Sequence, residues 1–379
     1  MAVKTSYSCT ECGWTSVKWV GQCGECQAWD TMREGAAGGG KGLGSVKSVK
    51  ASVIVASSAA KPITQISTES VASRSTKVAE FDRVLGGGLV PGAVVLLSGE
   101  PGVGKSTLLL EVAAKTAQTG AKVLYVSGEE SVGQIRLRAE RTGALSDNLF
   151  LASETDLANV LGQVAAVQPE LLVVDSVQTI AHAEIDGAAG MPSQIREVAT
   201  NLIRLAKENN LPVILVGHVT KDGNIAGPRA LEHLVDVVCH FEGDRQTSLR
   251  FVRSLKNRFG PTDEVGCFEM TGDGIREVAD PSSLFLSRGD TPVSGTCVTV
   301  AVEGKRALIA EVQALVVKTS SPNPRRVTNG VDSSRVAMLL AVLERRAGLR
   351  LGELDVYVST VGGVKITEPA ADLAIAIAI

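Results

Sequence analysis

At 379 residues the chain is longer than one hydrophobic core usually sustains, so two or more domains are expected. Its 38 basic and 41 acidic side chains leave a formal charge of −3, which excludes a broadly cationic surface and confines any nucleic-acid contact to local patches. With 44% hydrophobic and 21% charged residues, no apolar run near the roughly 20 residues of a membrane span and no secretion signal at the start, the composition points to a globular cytoplasmic protein.

In chain order, residues 1–34 carry four of the seven cysteines and all three tryptophans, but too few aliphatic side chains to bury a core unaided. Cys9-x2-Cys12 and Cys23-x2-Cys26 are two hairpin-like pairs able to turn their sulfurs toward one ion. Four thiolates satisfy Zn2+ in a closed tetrahedral site, so the expectation is a structural zinc ribbon. Redox-active pairs and iron–sulfur ligation are the rival readings, and neither pair opens a helix of a βαβ unit. Cys239, Cys267 and Cys297 stand in apolar-rich sequence and read as core thiols. Residues 35–77 turn to Gly, Ala, Ser and Thr with six basic side chains against one acidic, the composition of a flexible linker in which Val53-Ile54-Val55 is suited to local pairing.

From residue 78 short apolar runs alternate with helical stretches. Strands are predicted over 94–98, 123–127, 171–175 and 213–217, and helices over 107–118, 157–167 and 194–208. That alternation is the mark of an α/β core with a mostly parallel sheet, here assigned to 78–282. Residues 235–242 and 248–255 read as strands added at the sheet's end. A strand-rich α+β region follows over 283–379, with a helix at 333–347. Its final Leu373-Ala-Ile-Ala-Ile-Ala-Ile379 alternates like a strand, while Pro369 and the alanines favour a helix; the pattern stops without a cap, as though cut within an element.

Gly99-Glu100-Pro101-Gly102-Val103-Gly104-Lys105-Ser106, followed by Thr107, matches G-x-x-x-x-G-K-[ST] between a predicted strand and a predicted helix. Such a loop wraps phosphates with backbone N–H groups at a helix N-terminus, its lysine reaches the β/γ-phosphates, and its hydroxyl joins Mg2+. ATP and Mg2+ are therefore the expected ligands. Asp175 ends an apolar strand, a position from which a carboxylate holds the metal or its water. Glu129 and Glu130 follow another strand whose carboxyl end opens onto the same crevice, and either is a candidate to polarise the attacking water. His218 ends a third strand and reads as a γ-phosphate sensor or as an ordinary hydrogen-bonding residue. Two loops beyond the same edge, 181–192 and 220–229, the second with Lys221 and Arg229, suit a nucleic-acid backbone. Lys256 and Arg258 sit on a basic turn after what reads as the core's last long strand, and suit a finger presented to a neighbouring subunit.

Phe81-Asp82-Arg83-Val84-Leu85-Gly86-Gly87-Gly88 ahead of the phosphate loop, the four-cysteine ribbon and Lys256-Asn257-Arg258-Phe259-Gly260 together resemble the RadA (Sms) family of bacterial recombination ATPases. The resemblance covers essentially the whole chain. It implies a zinc ribbon, a RecA-like ATPase core and a C-terminal domain similar to the Lon protease domain, of which about half is present. It further implies a hexameric, ATP-driven, helicase-like motor on single-stranded and branched DNA, promoting branch migration beside RecA. Carried over by motif, Lys105 and Ser106 bind phosphate and Mg2+, Glu129 activates water, Asp175 serves the metal, and Lys256 and Arg258 act across subunits. Where Lon-type proteases place Gly-Pro-Ser-Ala-Gly, this chain reads Glu368-Pro369-Ala370-Ala371-Asp372, so the nucleophile's hydroxyl is missing at Ala370 and proteolysis is not expected. The rival function is a KaiC-like switch ATPase that acts on protein partners without DNA.

Overall fold

The computed structural model describes residues 5–10, 14–16, 18–36, 62–65, 72–218, 231–243, 248–287 and 293–379. Cys12, the pairing expected at 53–55 and the loop with Lys221 and Arg229 lie outside the described residues. The chain divides into two units, Met1–Ser67 and Thr68–Ile379.

In the first unit β1 (Thr5–Cys9) pairs antiparallel with β2 (Thr15–Ser16) and with β3 (Met32–Ala36). The buried interior consists of Cys9, Cys23 and Met32, with Tyr7, Trp14 and Val20 packed around them. A core this small does not offset the chain entropy of ordering three strands, so the fold needs a cross-link.

The second unit opens with α1 (Ala79–Leu85) and then alternates β4 (Val94–Gly99), α2 (Lys105–Gln118), β5 (Val123–Ser127), α3 (Val132–Thr142), β6 (Leu149–Ser153), α4 (Leu157–Val167), β7 (Leu171–Asp175), α5 (Pro192–Asn209) and β8 (Val213–His218). Four strands complete the sheet: β9 (Val237–Glu242), β10 (Leu249–Asn257), β11 (Val265–Thr271) and β12 (Gly274–Glu277). Their order is β12-β11-β10-β9-β4-β8-β7-β5-β6, with β9 through β6 parallel and the rest antiparallel. Alternation along each parallel strand divides the core in two. Val95, Leu97, Tyr125, Val173, Ile214 and Val216 meet α2 and α3 on one face. Val94, Leu96, Leu124, Val174, Val213 and Leu215 meet α4 and α5 on the other.

Two expectations need correction. Residues 237–242 do not lie at the sheet's end: β9 runs beside β4, buried on both faces as a central strand is. Nor is β10 the last long strand of the core, because β11 and β12 extend the same sheet beyond it. The end of the expected linker is also packed. Thr76 is fully buried, and its backbone N–H and hydroxyl both donate to Asp82 of α1.

The C-terminal part has β13 (Thr296–Glu303), β14 (Arg306–Lys318), β15 (Arg326–Asn329), α6 (Ser333–Ala347), β16 (Leu354–Thr360) and α7 (Asp372–Ala378). The sheet runs β13-β14-β16-β15, and α6 and α7 share its core. The ambiguous last segment is thus helical, started by the turn Pro369–Ala371 and held by an Asp372–Arg335 ion pair. Arg306 at the head of β14 ties this sheet to the nine-stranded core, donating to Glu80 of α1 and to the carbonyls of Val265 and Val278. Among the described residues no helix is long and apolar enough to cross a membrane.

Candidate functional site

The first candidate site forms where β4 hands over to α2. Gly99 packs so tightly on β9 that a Cβ there would stand 2.2 Å from the Phe241 carbonyl oxygen. Gly104, at φ +109°, takes a left-handed turn that other residues resist and becomes the N-cap of α2 without a side-chain cap. The first amides of α2 therefore face the loop with no side chain occupying them, the arrangement that receives phosphate oxygens. Ser106 and Thr107 stand half-buried in this first turn. Glu100, Pro101, Gly102 and Val103 line a crevice of about 200 Å3 with Glu242 and Arg250, and Arg250 Nε braces the loop by donating to the Val103 carbonyl at 3.2 Å.

Lys105 is buried, and its Nζ donates to the carbonyls of Gly99 and Glu100, each at 2.9 Å. Burial pushes its pKa down to about 8, while the charges of Asp175 and Glu129 oppose that fall. All three groups thus share one electrostatic neighbourhood, although β8 separates β4 from β7. Asp175 ends β7 almost wholly buried, and the hydroxyl of Tyr125 donates to its Oδ2 at 2.6 Å. Glu129 follows β5, and its Oε1 meets Ser176 Oγ at 2.7 Å and His218 Nε2 at 3.1 Å. Glu130 is engaged elsewhere, in a pair with Arg138 at 2.6 Å. Of the two acids the sequence left open, Glu129 is the one beside Ser176 and His218.

Lys256 and Arg258 are not brought to this crevice. Lys256 Nζ donates to the carbonyls of Glu232 and Val235, both at 2.8 Å. Arg258 pairs at 3.3 Å with Asp236, whose carboxylate also accepts from the Val94 backbone N–H. Val94 begins β4, so this cluster marks the edge of the sheet opposite the phosphate loop. The sequence reading missed Tyr125, Ser176 and Arg250. Tyr125 carried a signal, a hydroxyl-bearing ring in an otherwise aliphatic strand; the other two acquire meaning only from strand order.

In the first unit the sulfurs of Cys9, Cys23 and Cys26 lie within 4.8 Å of one another, with Cys9 and Cys26 at 3.7 Å. A tetrahedral ion with metal–sulfur bonds of about 2.3 Å sets its sulfurs about 3.8 Å apart, so this donor set fits such an ion. Cys239 and Cys267, by contrast, are held as thiols by burial, which pushes them up to about 12 and about 11.

A phosphate loop on a mostly parallel sheet, with carboxylates at the ends of two further strands, defines a RecA-like ATPase, here preceded by a metal-binding ribbon. Family models agree: residues 60–224 match an AAA domain and residues 7–34 a rubredoxin metal binding domain. The DNA repair protein RadA of Mycobacterium tuberculosis is 52% identical over 378 residues, 99% of this chain and 78% of that protein. RadA of Bacillus subtilis is 45% identical over 376 residues, 99% of this chain and 82% of that protein. The chain belongs to the RadA family of DNA repair proteins. Among solved structures it is similar to the ATPase domain of G40P, at a TM-score of 0.49 and 15% identity over 55% of this chain and 92% of that one.

Proposed function

We propose that the chain is a DNA-stimulated ATPase that drives branch migration or unwinding of recombination intermediates. The observation that carries the reading is the convergence of Lys105, Asp175 and Glu129 at one strand edge. ATP lies along Gly99–Thr107, with the Lys105 ammonium against the β/γ-phosphates and the first-turn amides of α2 on their oxygens. Ser106 and Asp175 would hold Mg2+, directly or through its water, and the ion would supply neutralisation of the phosphate charge. Glu129 takes a proton from the attacking water as that oxygen bonds to the γ-phosphorus and the bond to the bridging oxygen breaks, leaving ADP and phosphate. Ser176 and His218 hold Glu129 by one oxygen, and His218 is the route by which γ-phosphate occupancy is sensed.

Family membership supports the DNA half of the reading. Single-stranded and branched DNA are the partners, RecA the companion, a hexameric ring the working form and the cytoplasm the compartment. Lys256 and Arg258 serve the subunit boundary and the coupling to DNA. Cys9, Cys12, Cys23 and Cys26 hold one Zn2+, and residues 283–379 act as a Lon-like scaffold without proteolysis. Hydrolysis measured with and without single-stranded DNA tests the proposal. Stimulation by the DNA is expected; a rate indifferent to DNA would favour a switch ATPase acting on proteins.

A further inference from the structure

Asp175 and Tyr125 sit on neighbouring strands in a fixed register. Tyr125 is paired with Val173 across β5 and β7, and Ser127 with Asp175, so Tyr125 and Asp175 share a face one repeat apart. The ring is fully buried in the apolar layer beneath α2 and α3, and its hydroxyl spans that repeat to reach Asp175 Oδ2 at 2.6 Å. A phenol donating to a carboxylate is a charge-assisted bond, shorter and stronger than one between neutral groups. It fixes the plane of the carboxylate and engages its Oδ2.

We propose that Tyr125 is a positioning residue for hydrolysis, orienting the Asp175 carboxylate toward the Mg2+ of bound ATP. This rests on the ATPase reading above. No rotamer choice competes with the bond, because the ring is enclosed on every side by the core. Partners of this kind, standing behind a metal-site ligand, typically govern metal affinity or activity by about 10–100-fold. A merely structural tyrosine would change stability and leave the metal requirement alone.

Tyr125→Phe keeps the ring and removes only the hydroxyl. Mg2+ titrations of ATP hydrolysis should show the half-saturating Mg2+ concentration raised about tenfold or more, with kcat at saturating Mg2+ within about threefold of wild type. Nucleotide binding in EDTA should be unchanged, and Tyr125→Phe should add nothing in an Asp175→Asn background. An unaltered Mg2+ titration overturns the proposal. Should Tyr125→Phe not fold, 3-fluorotyrosine protein provides the second readout, since the chain has three tyrosines and removing Tyr7 and Tyr357 isolates the third. Its 19F resonance is expected to shift on adding Mg2+ with a non-hydrolysable ATP analogue, and to stay put in Asp175→Asn; the same shift in both proteins overturns the proposal. Wild type that hydrolyses no ATP with Mg2+ would instead sink the ATPase reading and take this inference with it.

Discussion

His218 Nε2 stands 3.1 Å from Glu129 Oε1, the same oxygen that Ser176 Oγ reaches at 2.7 Å. Three strand ends therefore converge on one carboxylate oxygen, from β8, from β7 and from β5 itself. A group held by one oxygen presents the other in a fixed direction, the preorganisation that proton transfer to a positioned base requires.

His218→Ala and Ser176→Ala should each lower kcat about 10–100-fold while ATP affinity changes by less than about threefold. Because both act through one oxygen, the double variant should fall well short of the sum of the single effects. Steady-state hydrolysis with separate nucleotide-binding curves checks this. Full additivity would mean that the two residues work independently.

Lys105 gives a pH dependence with a definite sign. Burial holds its pKa near about 8, so the free protein loses this proton as the pH rises through that value, and phosphates drawn against it must restore the charge. ATP affinity should be full below about pH 8 and fall by up to about tenfold per unit above it. Lys105→Arg stays charged and should bind more weakly but without that slope. Calorimetric titrations from pH 7 to about 9.5 decide the matter, a flat wild-type profile counting against it.

Arg306 and Glu80 form a buried pair between β14 and α1. Arg306→Ala leaves the buried Glu80 carboxylate with only Arg83, at 3.6 Å, and the Cys267 backbone N–H, and should cost about 1–3 kcal/mol in denaturant unfolding. The double change Arg306→Met with Glu80→Gln should recover part of that loss. Equal damage from both would show that packing, not charge, holds the two layers together.

The ribbon should carry one Zn2+ per chain. Cys23→Ser should lose the metal and the fold of residues 5–36 while leaving ATP binding intact. Elemental analysis with thermal melts provides the check.

What was legible in the sequence is local. The phosphate loop is one contiguous motif, and Asp175, Glu129 and His218 are strand ends, so the strand-and-turn pattern alone puts them at one edge. Strand order is not local. Nothing in 237–242 announces that β9 fills the place beside β4, since a central strand and a terminal one share the same apolar alternation. Tyr125 and Ser176 escaped for the same reason: their partners lie 50 and 47 residues away in sequence. The stretch from Lys256 to Arg258 stood out as basic, but Lys256 ends up inside β10 rather than on a turn, and the carbonyls and the Asp236 carboxylate that absorb its charge come from another part of the chain.

The central claim is that Glu129 activates the water while the phosphate loop binds the nucleotide, and Glu129→Gln measures it most directly. This variant keeps the shape of the side chain and its contact with His218 within reach, but removes the base. ATP affinity should stay within about threefold of wild type, whereas single-turnover hydrolysis should fall by about 10²–10⁴-fold. Hydrolysis at the wild-type rate, or loss of affinity equal to that of Lys105→Ala, would contradict the account.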